Sequence, residues 1–227
     1  MRYSNTSKAK RSIGGVIMLY NSAIKNLDLF KIKDDTTDKI FLGCDQEWFL
    51  TERQRRSGCG LTTAAMLTHY YRYIKESPEK IPCTKSSMLA LMEELWEYVT
   101  PGDRGIPTTE IFCKKFKLYL KERDMLVKLH ILDVPEPDED KPSFENLLSF
   151  LLESLSKDRP VAFLNLCSGE EVTLDRWHWV ILASIEYDKE NKILQGVIYD
   201  ESIEKKVDLA LWLKSTTLGG GFVYMDY

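Results

Sequence analysis

Hydrophobic positions recur at helical spacing through the first part of the chain and alternate, or run unbroken, through the last part. Leu61 to Lys75 opens on a dense stretch of apolar and small residues and reads as a buried helix. Ser87 caps a second helix running through Val99, in which Leu89, Met92, Leu95, Trp96 and Val99 share one face. Thr109 caps a third through Glu122, burying Ile111, Phe112, Phe116 and Leu120. Ser143 caps a fourth that turns Phe144, Leu147, Leu148 and Leu151 inward. Val127 to Leu132, Pro160 to Cys167, Trp179 to Tyr187, Ile193 to Tyr199 and Phe222 to Met225 are short apolar runs of strand type. Asp188 to Lys192 joins two of them as an antiparallel hairpin. Pro135 to Pro142, dense in Pro, Asp and Glu, reads as an exposed loop. Val207 to Trp212 alternates like a strand but has the composition of a helix, and the pattern leaves both open.

Helices come first and an antiparallel sheet second, so the expected class is α+β rather than a wound α/β fold. Residues 1–40 read as an N-terminal extension of uncertain order. Residues 41–227 read as one domain, with a helical lobe over about 41–158 and a sheet lobe over about 159–227. Composition agrees: 227 residues with 44% hydrophobic content suffice for one sizeable core. The net charge of −4, with basic residues scattered, leaves no footprint for nucleic acid. The longest apolar runs, Gly14 to Tyr20 and Val161 to Cys167, are too short to span a bilayer, and the first residues do not read as a signal peptide. Cysteines fall at 44, 59, 83, 113 and 167, an odd number without Cys-x-x-Cys spacing. That argues against a disulfide framework and a structural zinc site, and points to a reducing cytoplasm.

One cysteine stands apart. Cys59 lies between Gly58 and Gly60, immediately before the apolar helix, which puts its thiol on the first helical turn. Unpaired N–H groups and the positive end of the helix dipole favour a negatively charged sulfur there. The glycines leave room for backbone N–H groups to face a developing oxyanion. A nucleophile needs a base, and the chain has only three histidines. His178 opens an apolar strand within Arg176-Trp177-His178-Trp179-Val180-Ile181. The next strand ends at Asp200 in Val197-Ile198-Tyr199-Asp200. His69 and His130 have helix and strand contexts that suit packing.

These three blocks, Gly58 to Leu67, His178 to Ile181 and Val197 to Asp200, resemble the papain-like cysteine peptidases in residues and order. They look closest to stand-alone relatives of the bacteriocin-processing, double-glycine peptidases. The match covers roughly Asp45 to Thr68 and Arg176 to Tyr227. The resemblance implies a papain-like fold, with the cysteine helix in the helical lobe and the histidine in the sheet lobe. It implies catalysis by Cys59, His178 and Asp200, with a glutamine upstream of the cysteine donating to the oxyanion. Gln46 and Gln54 both qualify by position; Gln46, anchored by Trp48 and Phe49, is preferred to Gln54 in its charged surroundings. The gap between Gln46 and Cys59 departs from the family's usual spacing.

The implied activity is hydrolysis of an amide in a peptide or protein substrate, with no metal or organic cofactor. The same triad also serves acyltransferases and transpeptidases, and a vestigial one would leave a peptide-binding module. Oligomeric state is open. Alternation along the strand gives one further expectation: Trp179 turns away from the cleft and into the sheet core.

Overall fold

The computed structural model describes residues 9–12, 15–76, 83–136 and 138–227, with side chains from Tyr20 onward save at position 139. Four short strands come first: β1 (Ala9–Ser12), β2 (Gly15–Ala23), β3 (Lys31–Lys33) and β4 (Ile40–Leu42). Four helices follow: α1 (Glu52–Ser57), α2 (Cys59–Lys75), α3 (Lys85–Trp96) and α4 (Thr109–Glu122). Then come β5 (Lys128–Val134), α5 (Phe144–Ser156), β6 (Val161–Asn165), β7 (His178–Asp188), β8 (Ile193–Asp200) and β9 (Ile203–Asp208). The chain closes with α6 (Leu209–Ser215) and β10 (Gly220–Asp226).

The architecture is mixed α and β, built on an antiparallel sheet of eight strands with a separate β3–β4 hairpin beside it. β7 is its spine. Along one edge, its first half pairs with β6 from Val161↔Leu182 to Asn165↔His178, and its second half pairs with β2 from Ala23↔Ser184 to Leu19↔Asp188. β8 runs along the other edge, with a register shift between Leu182 and Ser184. Outward from β6 lie β10 and then β5.

Helices cover both faces of the sheet. Leu164↔Trp179 and Phe163↔Val180 are register pairs, so alternation sends Trp179 and Phe163 to opposite sides. On one side Trp179 stacks on Phe112 of α4, ring centroids 4.4 Å apart, beside α2. On the other, Trp212 of α6 packs edge-on against Phe163 and Phe222, and Phe150 of α5 meets Tyr224. α2 is enclosed by β7 and α3, and every residue from Gly60 to Tyr70 is buried.

Local rules account for the helix ends. Thr84 accepts from Ser87 N–H and Ser87 reciprocates, so the α3 cap sits three residues before the serine expected to provide it. Thr108, one residue before the expected Thr109, caps α4, and Ser143 caps α5 as expected. Val207 to Trp212 is both things at once: the strand β9 ends at Asp208, whose carboxylate caps α6 through Ala210 and Leu211 N–H.

Residues 15–40 do not form an extension apart from the domain. β2 joins the sheet, Ile24, Phe30 and Ile32 are buried in the core, and β3 pairs with β4 across residue 41. Strand β5 and helix α5, both N-terminal to residue 159, likewise belong with the sheet. No helix among the described residues is long and apolar enough to cross a membrane.

His69 on α2 is 2% exposed. Burial, then the nearby Arg72 charge, push its imidazole down to about 4, against the pull of the Leu29 backbone. Below the ordinary histidine value the unfolded chain therefore takes up a proton that the native protein refuses, and stability falls as the pH drops through that window. The loss should reach ~3 kcal/mol by the time His69 itself is protonated. In urea titrations at about pH 7 and about pH 4, the stability difference should shrink by that amount in His69→Gln. An unchanged difference would show that other groups control acid unfolding.

Candidate active site

Cys59 is the first residue of α2, with Gly58 as the N-cap between α1 and α2. The helical ladder begins with Thr62 N–H donating to the Gly58 carbonyl at 2.9 Å. The N–H groups of Cys59, Gly60 and Leu61 thus have no intrahelical acceptor at the turn that carries the sulfur. Space requires glycine at 58 and is tight at 60. A Cβ on Gly58 would lie 2.6 Å from the Phe49 ring and from the Gln54 carbonyl, and one on Gly60 would lie 2.9 Å from Ile106 Cδ1. The helix start is therefore wedged between the Phe49 loop and the Ile106 segment.

His178 begins β7 and Asp200 ends β8, so adjacent strands deliver the two side chains to one end of the sheet. His178 Nε2 lies 2.6 Å from Asp200 Oδ1, with side-chain exposures of 12% and 4%. A pair so dry is sensitive to its partners. Burial opposes a charge on His178, but hydrogen bonding to Asp200 and to the Cys59 sulfur, with the charges of both, lifts it to about 10. Burial also opposes the Asp200 charge, and its bonds to His178 and Lys205 outweigh this and hold the carboxyl below its ordinary value. With Nε2 committed to Asp200, Nδ1 is the nitrogen that faces Cys59.

The two candidate glutamines separate cleanly. Gln54 is buried and structural: Thr51 Oγ1 donates to its Oε1 at 2.7 Å in a capping box, and its Nε2 donates to Glu93 Oε2 at 2.6 Å. Gln46 opens a single 3-10 turn (Gln46–Trp48) and its amide makes no hydrogen bond among the described residues, with Oε1 buried. Gln46, Cys59, His178 and Asp200 line one narrow cavity. Cys59 and Trp179 also line an adjoining open cleft of about 900 Å3, whose walls include Arg53, Arg104, Ile106, Leu164 and Trp177. The thiol thus stands at the junction, open to the cleft on one side and to the histidine on the other.

Trp179 differs from expectation. It is buried, but it forms part of the cleft floor beside Cys59, because its face of the sheet is the one α2 packs on. Its Nε1 donates to the Ile106 carbonyl at 2.8 Å, which anchors the opposite wall. Trp177 is half exposed at the cleft and adopts φ +55, in the left-handed region.

Other groups were not legible as site residues. Lys205 of β9 places its Nζ 2.8 Å from Asp200 Oδ2, 3.3 Å from Glu201 and 3.5 Å from Asp175. The three carboxylates converge, and this ammonium is their cation. Glu201 and Ser202, which connect β8 to β9, both have positive φ, the pattern of a type I′ turn without its usual Asn or Gly. Such residues cost about 1–3 kcal/mol each. Leu42 N–H donates to the Ser202 carbonyl at 2.9 Å, and Ser202 Oγ donates to Asp45 Oδ2 at 3.2 Å, holding the turn. A hairpin reading of 200–203 would have put Lys205 diagonally across from Asp200, but no turn residue signalled it.

All five cysteines are free. Cys167, read from sequence as a strand end, follows β6; the Thr217 hydroxyl and then the Gly169 and Thr217 N–H groups lower its thiol to about 7. It lines neither cavity. His130 stacks on Tyr224 at 4.7 Å, in keeping with a packing role. No protein-family model matches this chain, and no curated protein matches it.

Trp179→Ala should destabilise the protein by ~3–5 kcal/mol. Trp179→Phe keeps the stack on Phe112 but orphans the Ile106 carbonyl, for a smaller loss of ~1–3 kcal/mol. Equal losses in denaturant melts would mean that the Nε1 hydrogen bond contributes nothing. The glutamines should divide by readout. Gln54→Ala lowers stability by ~1–3 kcal/mol and leaves Cys59 alkylation kinetics intact, since a buried network loses its hub. Gln46→Ala leaves the melt unchanged. A Gln46→Ala protein that melts earlier while Gln54→Ala does not would reverse the assignment.

Proposed function

We propose that this protein is a papain-like cysteine hydrolase acting on amide bonds of a peptide or protein substrate. The observation that carries this reading is the convergence of Cys59, His178, Asp200 and Gln46 on a single cavity at the mouth of an open cleft. The α+β architecture, with the cysteine at the start of a buried helix and the histidine and aspartate on neighbouring strands, agrees with it. The five free cysteines suit a reducing, cytoplasmic setting.

In the first half-reaction the Cys59 sulfur attacks the substrate carbonyl carbon, forming the C–S bond and an oxyanion. The Cys59 N–H and the Gln46 amide donate to that oxygen. The C–N bond then breaks as His178 hands its proton to the departing amine, leaving a thioester. In the second, His178 takes a proton from water as the hydroxide adds, and the C–S bond breaks to restore the thiolate beside the imidazolium, the product acid passing its proton to the released amine. Asp200, bound to His178 Nε2, fixes the ring so that Nδ1 faces the sulfur throughout. The stacked Trp179 floor keeps water from one side of the pair, and a dry pair is a strong one.

A thiol paired with an imidazolium alkylates at a pH where an ordinary thiol is almost wholly protonated. With Cys167→Ser as background, iodoacetamide at about pH 6 should label Cys59 at least ~10-fold faster than it labels N-acetylcysteine. His178→Ala should abolish the excess, and Cys59→Ala should lose all cleavage of any peptide the wild type cuts. Labelling of Cys59 at the N-acetylcysteine rate, unaffected by His178→Ala, would sink the proposal.

A further inference from the structure

Lys205 contacts the base of the triad from the side opposite Cys59. Its neighbour in the register is Ile198 on β8, and Asp200 pairs with Ile203, so the lysine lies diagonally across from the aspartate on one face of a tight hairpin. Its side chain is only 15% exposed, and its ammonium sits 2.8 Å from Asp200 Oδ2 while Oδ1 receives His178 Nε2 at 2.6 Å. The carboxylate is therefore gripped at both oxygens, and its plane is fixed. A surface ion pair would be worth little, but this one lies where the carboxylate is 4% exposed, so each partner controls the other.

The remaining charges around the pair come from every side. His178 approaches from β7, Cys59 from α2, Glu201 from the turn, Asp175 from the loop ahead of β7, and Asp45 from the Gln46 loop through Ser202. Without the lysine, Asp200 would face the carboxylates of Asp175 and Glu201 with His178 as its only cation among the described residues.

We propose that Lys205 is a positioning residue of this site, holding Asp200 negatively charged and turned toward His178 so that the imidazole stays aligned on Cys59. The inference rests on the triad reading above. Lys205 touches no reacting atom; it acts through Asp200.

The test is the pH profile of Cys59 alkylation by iodoacetamide in the full chain, with Cys167→Ser as background. Lys205→Met should move the acid midpoint of the profile to higher pH, slowing labelling on the acid side by ~10-fold, as a one-unit rise in an acid's midpoint does. Lys205→Arg, which keeps the charge, should restore the wild-type midpoint. The double variant Asp175→Asn with Glu201→Gln removes the lysine's exposed competitors and should move the midpoint the other way, which keeps the proposal testable if Lys205→Met does not fold. An unchanged midpoint in either charge-altered protein overturns the role of Lys205. So does a uniform slowing at all pH values with a lower melting temperature, which is the mark of a purely structural lysine, or a shift in Lys205→Arg equal to that in Lys205→Met. A wild-type chain without fast labelling overturns the triad and the lysine's role together, and is thereby distinguished from failure of the lysine alone.

Discussion

The contact on which the rest depends is the seating of α2 against β7. β7 carries partners on both edges, and α2 is buried without a break from Gly60 to Tyr70. Neither element can slide without opening a cavity or losing ladder hydrogen bonds, and both costs are steep in a close-packed core. The two glycines complete the fit. Gly58 admits the Phe49 ring and the Gln54 carbonyl at distances a Cβ would forbid, and Gly60 lets the tip of Ile106 come close. The same Ile106 carbonyl takes the Trp179 indole N–H, so the start of the helix, the cleft wall and the central strand are tied at one point.

On that frame the polar residues form an alternating row: Cys59, His178, Asp200 and Lys205. His178 and Lys205 each lie beside the buried Asp200 carboxylate, so removing that carboxylate would take from both cations their best-buried partner. The arrangement also explains why a two-residue turn tolerates left-handed Glu201 and Ser202. A longer, relaxed loop would let Asp200 and Lys205 drift apart, whereas the tight hairpin holds them diagonally opposed. The strain is offset by the Leu42 and Asp45 contacts, which in turn bind this turn to the loop that carries Gln46. The donor side and the base side of the cavity are thus parts of one connected network.

The two cavities differ in their lining. The narrow one is lined by Gln46, Cys59, His178 and Asp200; the open one is broad, with Arg53, Arg56 and Arg104 beside apolar walls. Only the sulfur and the Trp179 indole border both. Access to Cys59 and alignment of His178 are therefore set by different surfaces.

Residues close in sequence were enough to reveal much of this. Glycines around a cysteine at a helix start, a histidine at a strand start and an aspartate at a strand end are local patterns, and α4, α5, β6, β7 and β8 follow from periodicity and caps. Gln46 over Gln54 was favoured from its aromatic neighbours, but only the fold shows Gln54 spent on Thr51 and Glu93, which is thirty-nine residues away. β2 and β3 escaped because β2 runs from apolar into polar residues without alternating and β3 has only three residues; they exist because β7 and β4 offer them ladders. Trp179 was misdirected because alternation tells which residues share a face but not which face a helix will cover. Lys205 was invisible because its role comes from a hairpin without turn residues. Chemistry carried by one residue type in a local pattern could be read along the chain; the pairing of charges and the direction of side chains awaited the packing of distant segments, since those are set by long-range contacts that no local pattern encodes.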